Sequence, residues 1–145
     1  MYSLGLDIGS SSIKIALVDI SENLEATVVR VPEAEMTIQS PRIHWAEQDP
    51  DEWWRHSLEG INKAIQVAGI QAEQIHSIGI AYQMHGLVLI DSVGQPLRPA
   101  IIWCDSRAIE SGKSIESGLN ENIIKNSLYN LPGNFTASKL KWVMD

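Results

Sequence analysis

Apolar and polar residues alternate from the start of the chain. Leu4, Leu6 and Ile8 interleave with Ser3, Gly5 and Asp7, and Ile13, Ile15 and Leu17 interleave with Lys14, Ala16 and Val18. Period-2 alternation on both sides of a Gly/Ser cluster predicts a β-hairpin. A polar turn over 19–23 leads to a third strand, Leu24–Val31, so the chain opens as an antiparallel meander. Residues 32–48 form a long connection containing Pro32 and Pro41; a loop of this length serves function or packs over a neighbour. Asp49-Pro50-Asp51-Glu52 reads as a helix start. Asp49 can cap, Pro50 suits the first helical position, and Glu52 completes a capping box. The helix runs to about Ala68, with Trp54, Leu58, Ile61, Ile65 and Ala68 as its buried stripe. Trp53 and Trp54 read as core and rim packing, and Gly69 stops the helix.

Ile75–Ala81 is apolar enough for a central strand, and the helix before it makes it parallel to the first strand. Tyr82-Gln83-Met84-His85-Gly86 follows its end. Leu87–Asp91 is a further short strand, with its turn at Ser92–Gln95. Pro96 and Pro99 keep the next segment extended, and Ile101-Ile102-Trp103 is a short strand ending at Cys104-Asp105. Helices are expected from Asp105 to about Gly118, from Glu121 to Tyr129, and from Phe135 to Asp145. Leu131-Pro132-Gly133-Asn134 separates the last two, and the last carries Leu140 and Val143 with Lys139 beside them. The fold class is α/β with a mixed sheet, and no repeat, low-complexity stretch or linker marks a second domain.

Chemistry concentrates at three places. Asp7 ends the first strand, where a carboxylate can hold a hydrated Mg²⁺. Gly9 lets the backbone come close to a ligand. Ser10, Ser11 and Ser12 offer hydroxyls and consecutive N–H groups that suit phosphate oxygens, with Lys14 adding positive charge. An ordinary polar turn explains the same residues equally well. The spacing fits neither a Walker A loop nor a dinucleotide fingerprint. The second place is Met84-His85-Gly86, after a buried strand whose carboxyl end would face the same cleft as Asp7. His85 suits a polyol hydroxyl or a carbonyl oxygen, or is simply a satisfied histidine at a strand end. The third is Trp103-Cys104-Asp105-Ser106-Arg107. Asp105 is either a helix N-cap or an acceptor for sugar hydroxyls, with Trp103 offering an apolar face.

The 145 residues are 44% hydrophobic and 20% charged, a globular composition. The net charge of −7 argues against nonspecific binding to nucleic acid or an anionic membrane. One cysteine, Cys104, cannot form an intramolecular disulfide and reads as a packed thiol in a reducing compartment. No signal peptide or spanning apolar run is visible, so the cytoplasm is the expected location. The four histidines show no zinc spacing, and no G-x-S-x-G elbow occurs.

The hairpin resembles the first phosphate loop of the sugar kinase, Hsp70 and actin ATPases. Together with Trp45-Ala46-Glu47-Gln48-Asp49-Pro50, Gly79–Gly86, Leu97–Arg107 and Phe135–Trp142, it resembles the N-terminal part of an FGGY carbohydrate kinase. The pieces span the chain in the family's order. Gln83-Met84-His85-Gly86 is the most specific and points to the xylulokinase branch, although Cys104 stands where Asn is usual. The resemblance implies an RNase H-like fold in each of two domains, with ATP and sugar meeting between them. It implies transfer of the γ-phosphoryl group of Mg·ATP to the 5-hydroxyl of D-xylulose, a step of xylose metabolism. Asp7 then matches the Mg²⁺-associated aspartate, Ser10, Ser11 and Ser12 the phosphate-contacting hydroxyls, and Lys14 the basic residue of the second strand. Met84 and His85 match the ketose-binding pair, and Asp105 a position near the sugar. The proton-accepting aspartate, the adenosine pocket and the second phosphate loop are expected beyond position 145, so residues 1–145 read as the N-terminal part of the first kinase domain, without the second. Such a piece is expected to bind sugar weakly, if at all, not to turn over, and either to self-associate, a homodimer included, through exposed apolar surface or to be marginally stable. Alternatives are a kinase of the family for another sugar or polyol, a non-catalytic sugar- or nucleotide-sensing module, and an actin-like assembly ATPase.

Overall fold

The computed structural model describes residues 1–21, 24–127 and 132–145. The chain forms two compact units, one of residues 1–37 and 50–83, the other of residues 38–49 and 84–145. The segments interleave, so no linker-like composition marks the boundary.

The first unit is built on the predicted hairpin. Strands β1 (Tyr2–Ile8), β2 (Ile13–Asp19) and β3 (Ala26–Val31) form the meander, and β5 (Ile75–Tyr82) lies parallel to β1. The sheet order is β3-β2-β1-β5. Register follows the alternation: Leu4 faces Leu17, Leu6 faces Ile15, and Ile8 faces Ile13. One face therefore carries Leu4, Leu6, Ile13, Ile15 and Leu17, joined by Val29 and Val31, and this is the core. Helix α1 (Pro50–Ala68) covers it. Gly69, at φ +66°, closes α1 as predicted. Its N–H donates to the Gln66 carbonyl, while the Ile70 N–H reaches back to Ile65, a Schellman closure.

The buried face of α1 differs from the expected stripe. Ile61, Ile65, Ala68 and Trp53 pack against the core, but Trp54 and Leu58 are exposed. The line of closest approach runs instead through Ser57, Gly60 and Ala64. Small residues there let the helix settle on the sheet: a Cβ on Gly60 would lie 2.7 Å from Ile15 Cγ1 and 3.0 Å from Val31 Cγ2. Gly60→Ala is therefore expected to destabilise. Overpacking costs about 1–3 kcal/mol against a helix-propensity gain of about 1 kcal/mol. A denaturant midpoint equal to or above that of the parent chain would contradict this.

Strand β5 is parallel to β1 as expected but is not central. Among the described residues it is one of the two edge strands of the sheet, β3 being the other, and Ile78, Ile80 and Tyr82 are exposed. Its apolar run shows what it can bury, not what covers it.

In the second unit, β4 (Glu47–Gln48) pairs antiparallel with β6 (Ala100–Ile101). The expected strand at Leu87–Asp91 reduces to isolated bridges, Leu87 to Ile101 and Ile90 to Pro96, because Pro96 and Pro99 withhold ladder donors. Its turn is as predicted. Asp91 Oδ1 accepts from the Val93 and Gln95 N–H groups, and Gly94 takes φ +85°. Helix α2 (Ile109–Ser117) starts later than expected, since Asp105 and Arg107 are held in a buried ion pair ahead of it. Helix α3 covers Glu121–Ser127; its expected continuation to Tyr129, like Leu131, lies outside the described residues. A 3₁₀ turn, Pro132–Asn134, precedes α4 (Thr136–Met144). Helix α4 buries Ser138 and Lys139, whereas Leu140 is exposed. Among the described residues no helix is long and apolar enough to cross a membrane.

Candidate functional site

The first unit carries the hairpin turn. The Gly9 N–H donates to the Ser12 carbonyl at 3.2 Å. A Cβ at Gly9 would sit 3.0 Å from that same oxygen, so the tight turn favours glycine. Ser12 is buried, Ser10 half-buried and Ser11 exposed; the Ser11 carbonyl accepts from the Met36 N–H at 2.8 Å. Asp7 and Lys14 are cross-strand partners. Lys14 Nζ donates to Asp7 Oδ2 at 2.9 Å, with both side chains about half exposed. A pair so screened contributes about 0–1 kcal/mol, so a phosphate or a hydrated cation can displace it at little cost. The parallel pairing of β5 with β1 ends at the Gln83 N–H, which donates to the Ile8 carbonyl. Both polar atoms of the Gln83 side chain are shielded from solvent without a hydrogen-bond partner. Such groups are rare and call for a water or ligand. An accessible carboxylate, a lysine, a serine-lined turn and an unsatisfied amide together fit a magnesium-bound phosphate.

The second unit carries the other candidates. Met84 and His85 are exposed, as is Trp103. His85 takes φ +64°, a left-handed conformation uncommon for residues other than glycine, which surrounding contacts help to hold. Its ring stacks on Phe135 with centroids 4.3 Å apart and planes 10° from parallel. Lys139 Nζ donates to the His85 carbonyl at 2.6 Å and to the Ile102 carbonyl at 2.9 Å. Thr136 Oγ1 donates to the Gly86 carbonyl, and Asn134 Nδ2 to the Trp103 carbonyl. Lys139 is fully buried. Burial lowers its pKa below the usual lysine value, with Asp105 pulling the other way.

Asp105, expected to cap a helix or to meet sugar hydroxyls, is placed for neither. Helix α2 begins at Ile109, with Ala108 in the capping position. Asp105 is fully buried. Its Oδ2 accepts from the Ala46 N–H at 2.6 Å and from Arg107 Nε and Nη2 at 2.8 and 2.6 Å. Arg107 Nη1 reaches Glu47 Oε1 at 2.7 Å, and Arg98 Nη2 reaches the same oxygen at 2.6 Å. The Arg107 guanidinium lies 3.6 Å from the Trp45 ring centre and 5.2 Å from that of Trp142. Cys104 is exposed rather than packed, beside the exposed Trp103 in the turn after β6, while Ile102 and Asp105 are buried. Phe135, Lys139, Glu47 and Arg107 lie in the recognised stretches, but no local pattern gives them a role: their partners are distant in sequence.

A meander joined by a helix to a strand parallel to β1 is the RNase H-like arrangement of the actin, Hsp70 and sugar kinase proteins. Residues 2–145 match the N-terminal domain of the FGGY family of carbohydrate kinases, and the chain belongs to that family. It is 34% identical over 145 residues to a xylulose kinase of Escherichia coli K12, covering 99% of this chain and 28% of that protein. A glycerol kinase of Thermococcus onnurineus is also 34% identical over 145 residues, with the same coverage. The crystal structure of a protein described as a xyloylose kinase, from Brucella ovis, superposes with a TM-score of 0.81 at 32% identity, over 99% of this chain and 29% of that one. The chain thus spans a little over a quarter of the length of these relatives.

Proposed function

We propose that the chain is the sugar-facing part of an ATP-dependent kinase that transfers the γ-phosphoryl group to the 5-hydroxyl of D-xylulose. The observation that carries this reading is His85. It is an exposed imidazole held in a left-handed backbone conformation, stacked on Phe135 and fastened through its carbonyl by Lys139. A ring presented in this way can hydrogen-bond a ketose carbonyl or hydroxyl, while Met84 and Trp103 offer apolar surface to the carbon skeleton. At the hairpin, Asp7 would hold the hydration shell of Mg²⁺, and Ser10, Ser11, Ser12 and Lys14 would hold phosphate oxygens. Bound Mg·ATP supplies the phosphoryl group; the residues of this chain position and neutralise charge. Asp105 would act at one remove, fixing the loop that carries Trp103. The exposed face of β5, with Ile78, Ile80 and Tyr82, supports self-association. The second reading, a kinase for glycerol or a related polyol, is favoured by the equal identity to a glycerol kinase.

Titration of the 145-residue chain with D-xylulose and with glycerol, followed by ¹H–¹³C NMR of the His85 ring and the Met84 methyl, separates the two. D-Xylulose is expected to move both signals at millimolar concentration and glycerol to move neither. A response to glycerol alone would overturn the substrate. Steady ADP production by the chain with ATP and D-xylulose would overturn its assignment as a binding part without turnover.

A further inference from the structure

The four carbonyls of His85, Gly86, Ile102 and Trp103 all accept side-chain hydrogen bonds from one short segment. Lys139 serves His85 and Ile102, Thr136 serves Gly86, and Asn134 serves Trp103. Between Asn134 and Thr136 stands Phe135, whose ring stacks on His85. We propose that Asn134–Lys139 is the positioning element of the sugar-facing surface, with Lys139 as its central residue, holding the His85 and Trp103 loops in register through their backbone. This rests on the reading of His85 given above and extends it to residues that touch no sugar.

The chemistry of the segment suits that task. A buried ammonium has three donors and no acceptor, so one Lys139 can fasten two carbonyls from loops that are distant in sequence. Desolvating a lysine is costly, and an apolar residue would fill the same space without that cost. What methionine cannot supply is a simultaneous donor to His85 and Ile102. The left-handed backbone of His85 needs an external hold, and its carbonyl receives one at 2.6 Å from Lys139. The Phe135 ring then restricts the imidazole from the other end of the residue.

The test uses the 145-residue chain and the ring protons of His85, with His76, exposed on β5, as the internal reference. In the parent chain the stacked His85 protons should resonate upfield of those of His76. In Phe135→Leu the upfield shift should vanish. In Lys139→Met it should fall towards the His76 value in the folded population, and Lys139→Arg should restore part of it. Thr136→Val, a milder change at an exposed position, should move the Leu87 amide, which shares a peptide group with the Gly86 carbonyl, and shift His85 less. D-Xylulose should bind Lys139→Met at least several-fold more weakly than the parent. If Lys139→Met lowers stability yet leaves the His85 ring signals and the sugar affinity of the folded chain unchanged, Lys139 is structural only and the proposal fails. If Lys139→Met is too unstable to assign, an unmoved His85 ring in Phe135→Leu together with an unmoved Leu87 amide in Thr136→Val overturns it. Parent His85 signals that shift with Phe135 and Lys139 but ignore every sugar would sink the sugar reading and leave the positioning role standing.

Discussion

Arg107→Met is expected to remove about 3–5 kcal/mol from the stability of the unit formed by residues 38–49 and 84–145. The Arg107 side chain is 1% exposed and that of Asp105 not exposed at all. Methionine keeps the volume between Trp45 and Trp142 but deletes every charged donor to Asp105. A buried carboxylate left with amide donors alone must stay charged at high cost or take up a proton. Glu47 is less affected, because Arg98 still reaches it at 2.6 Å. Arg107→Lys should recover only part of the loss, since an ammonium cannot present two parallel donors to one carboxylate. The double variant Arg107→Met with Asp105→Leu should recover more, as an apolar pair replaces an ion pair without an orphaned charge. Tryptophan fluorescence during urea unfolding, recorded in a Trp53→Phe, Trp54→Phe background, reads this unit through Trp45, Trp103 and Trp142. A loss below about 1 kcal/mol would place the network among screened surface pairs.

That network also shows where sequence reasoning stops. The hairpin from Leu4 to Asp19 is legible because a period-2 pattern is local and its register follows from the turn. Helix α1 is legible at both ends, through Pro50 and Gly69. Its buried face is not, because Trp54 and Leu58 look apolar enough to bury, while the actual contact depends on the fit of Gly60 over Ile15 and Val31. Helix α4 repeats the lesson. Nothing in the local pattern assigns Lys139 a role, yet it is buried because carbonyls from two distant loops meet over it. Asp105 has two local readings, cap and sugar acceptor; its partners in the structure are the Ala46 N–H and Arg107, and Arg107 in turn reaches Glu47. In the first unit Asp7 and Lys14, and in the second Met84 and His85, stand out by residue type and position, and each is exposed. The residues that hold the second unit's loops were not visible, since long-range polar contacts leave no periodic trace.

Gly112→Ala is expected to disturb that hidden support, its added Cβ having the shortest contact of any glycine position in the chain. A Cβ at Gly112 would lie 2.5 Å from the Gly133 Cα and 3.0 Å from both the Gly133 nitrogen and Ser138 Oγ. Two of these atoms are backbone, which cannot rotate aside as a side-chain tip can. Helix α2 must therefore part from the turn at Pro132–Asn134 or from the start of α4. The gain in helix propensity is about 1 kcal/mol, against an overpacking cost of about 1–3 kcal/mol that should fall at its upper end here. The displaced turn carries Asn134, which holds the Trp103 carbonyl, and leads directly into Phe135 under His85. Lower stability should therefore come with altered His85 ring signals in the molecules that remain folded. Gly79→Ala is the uncrowded control, since its Cβ would meet nothing within 4 Å; it should not lower stability and should leave the His85 ring signals unchanged. Equal behaviour of the two variants would mean that α2 and the turn can separate freely, and that the His85 loop owes its geometry to something other than the segment packed beneath it.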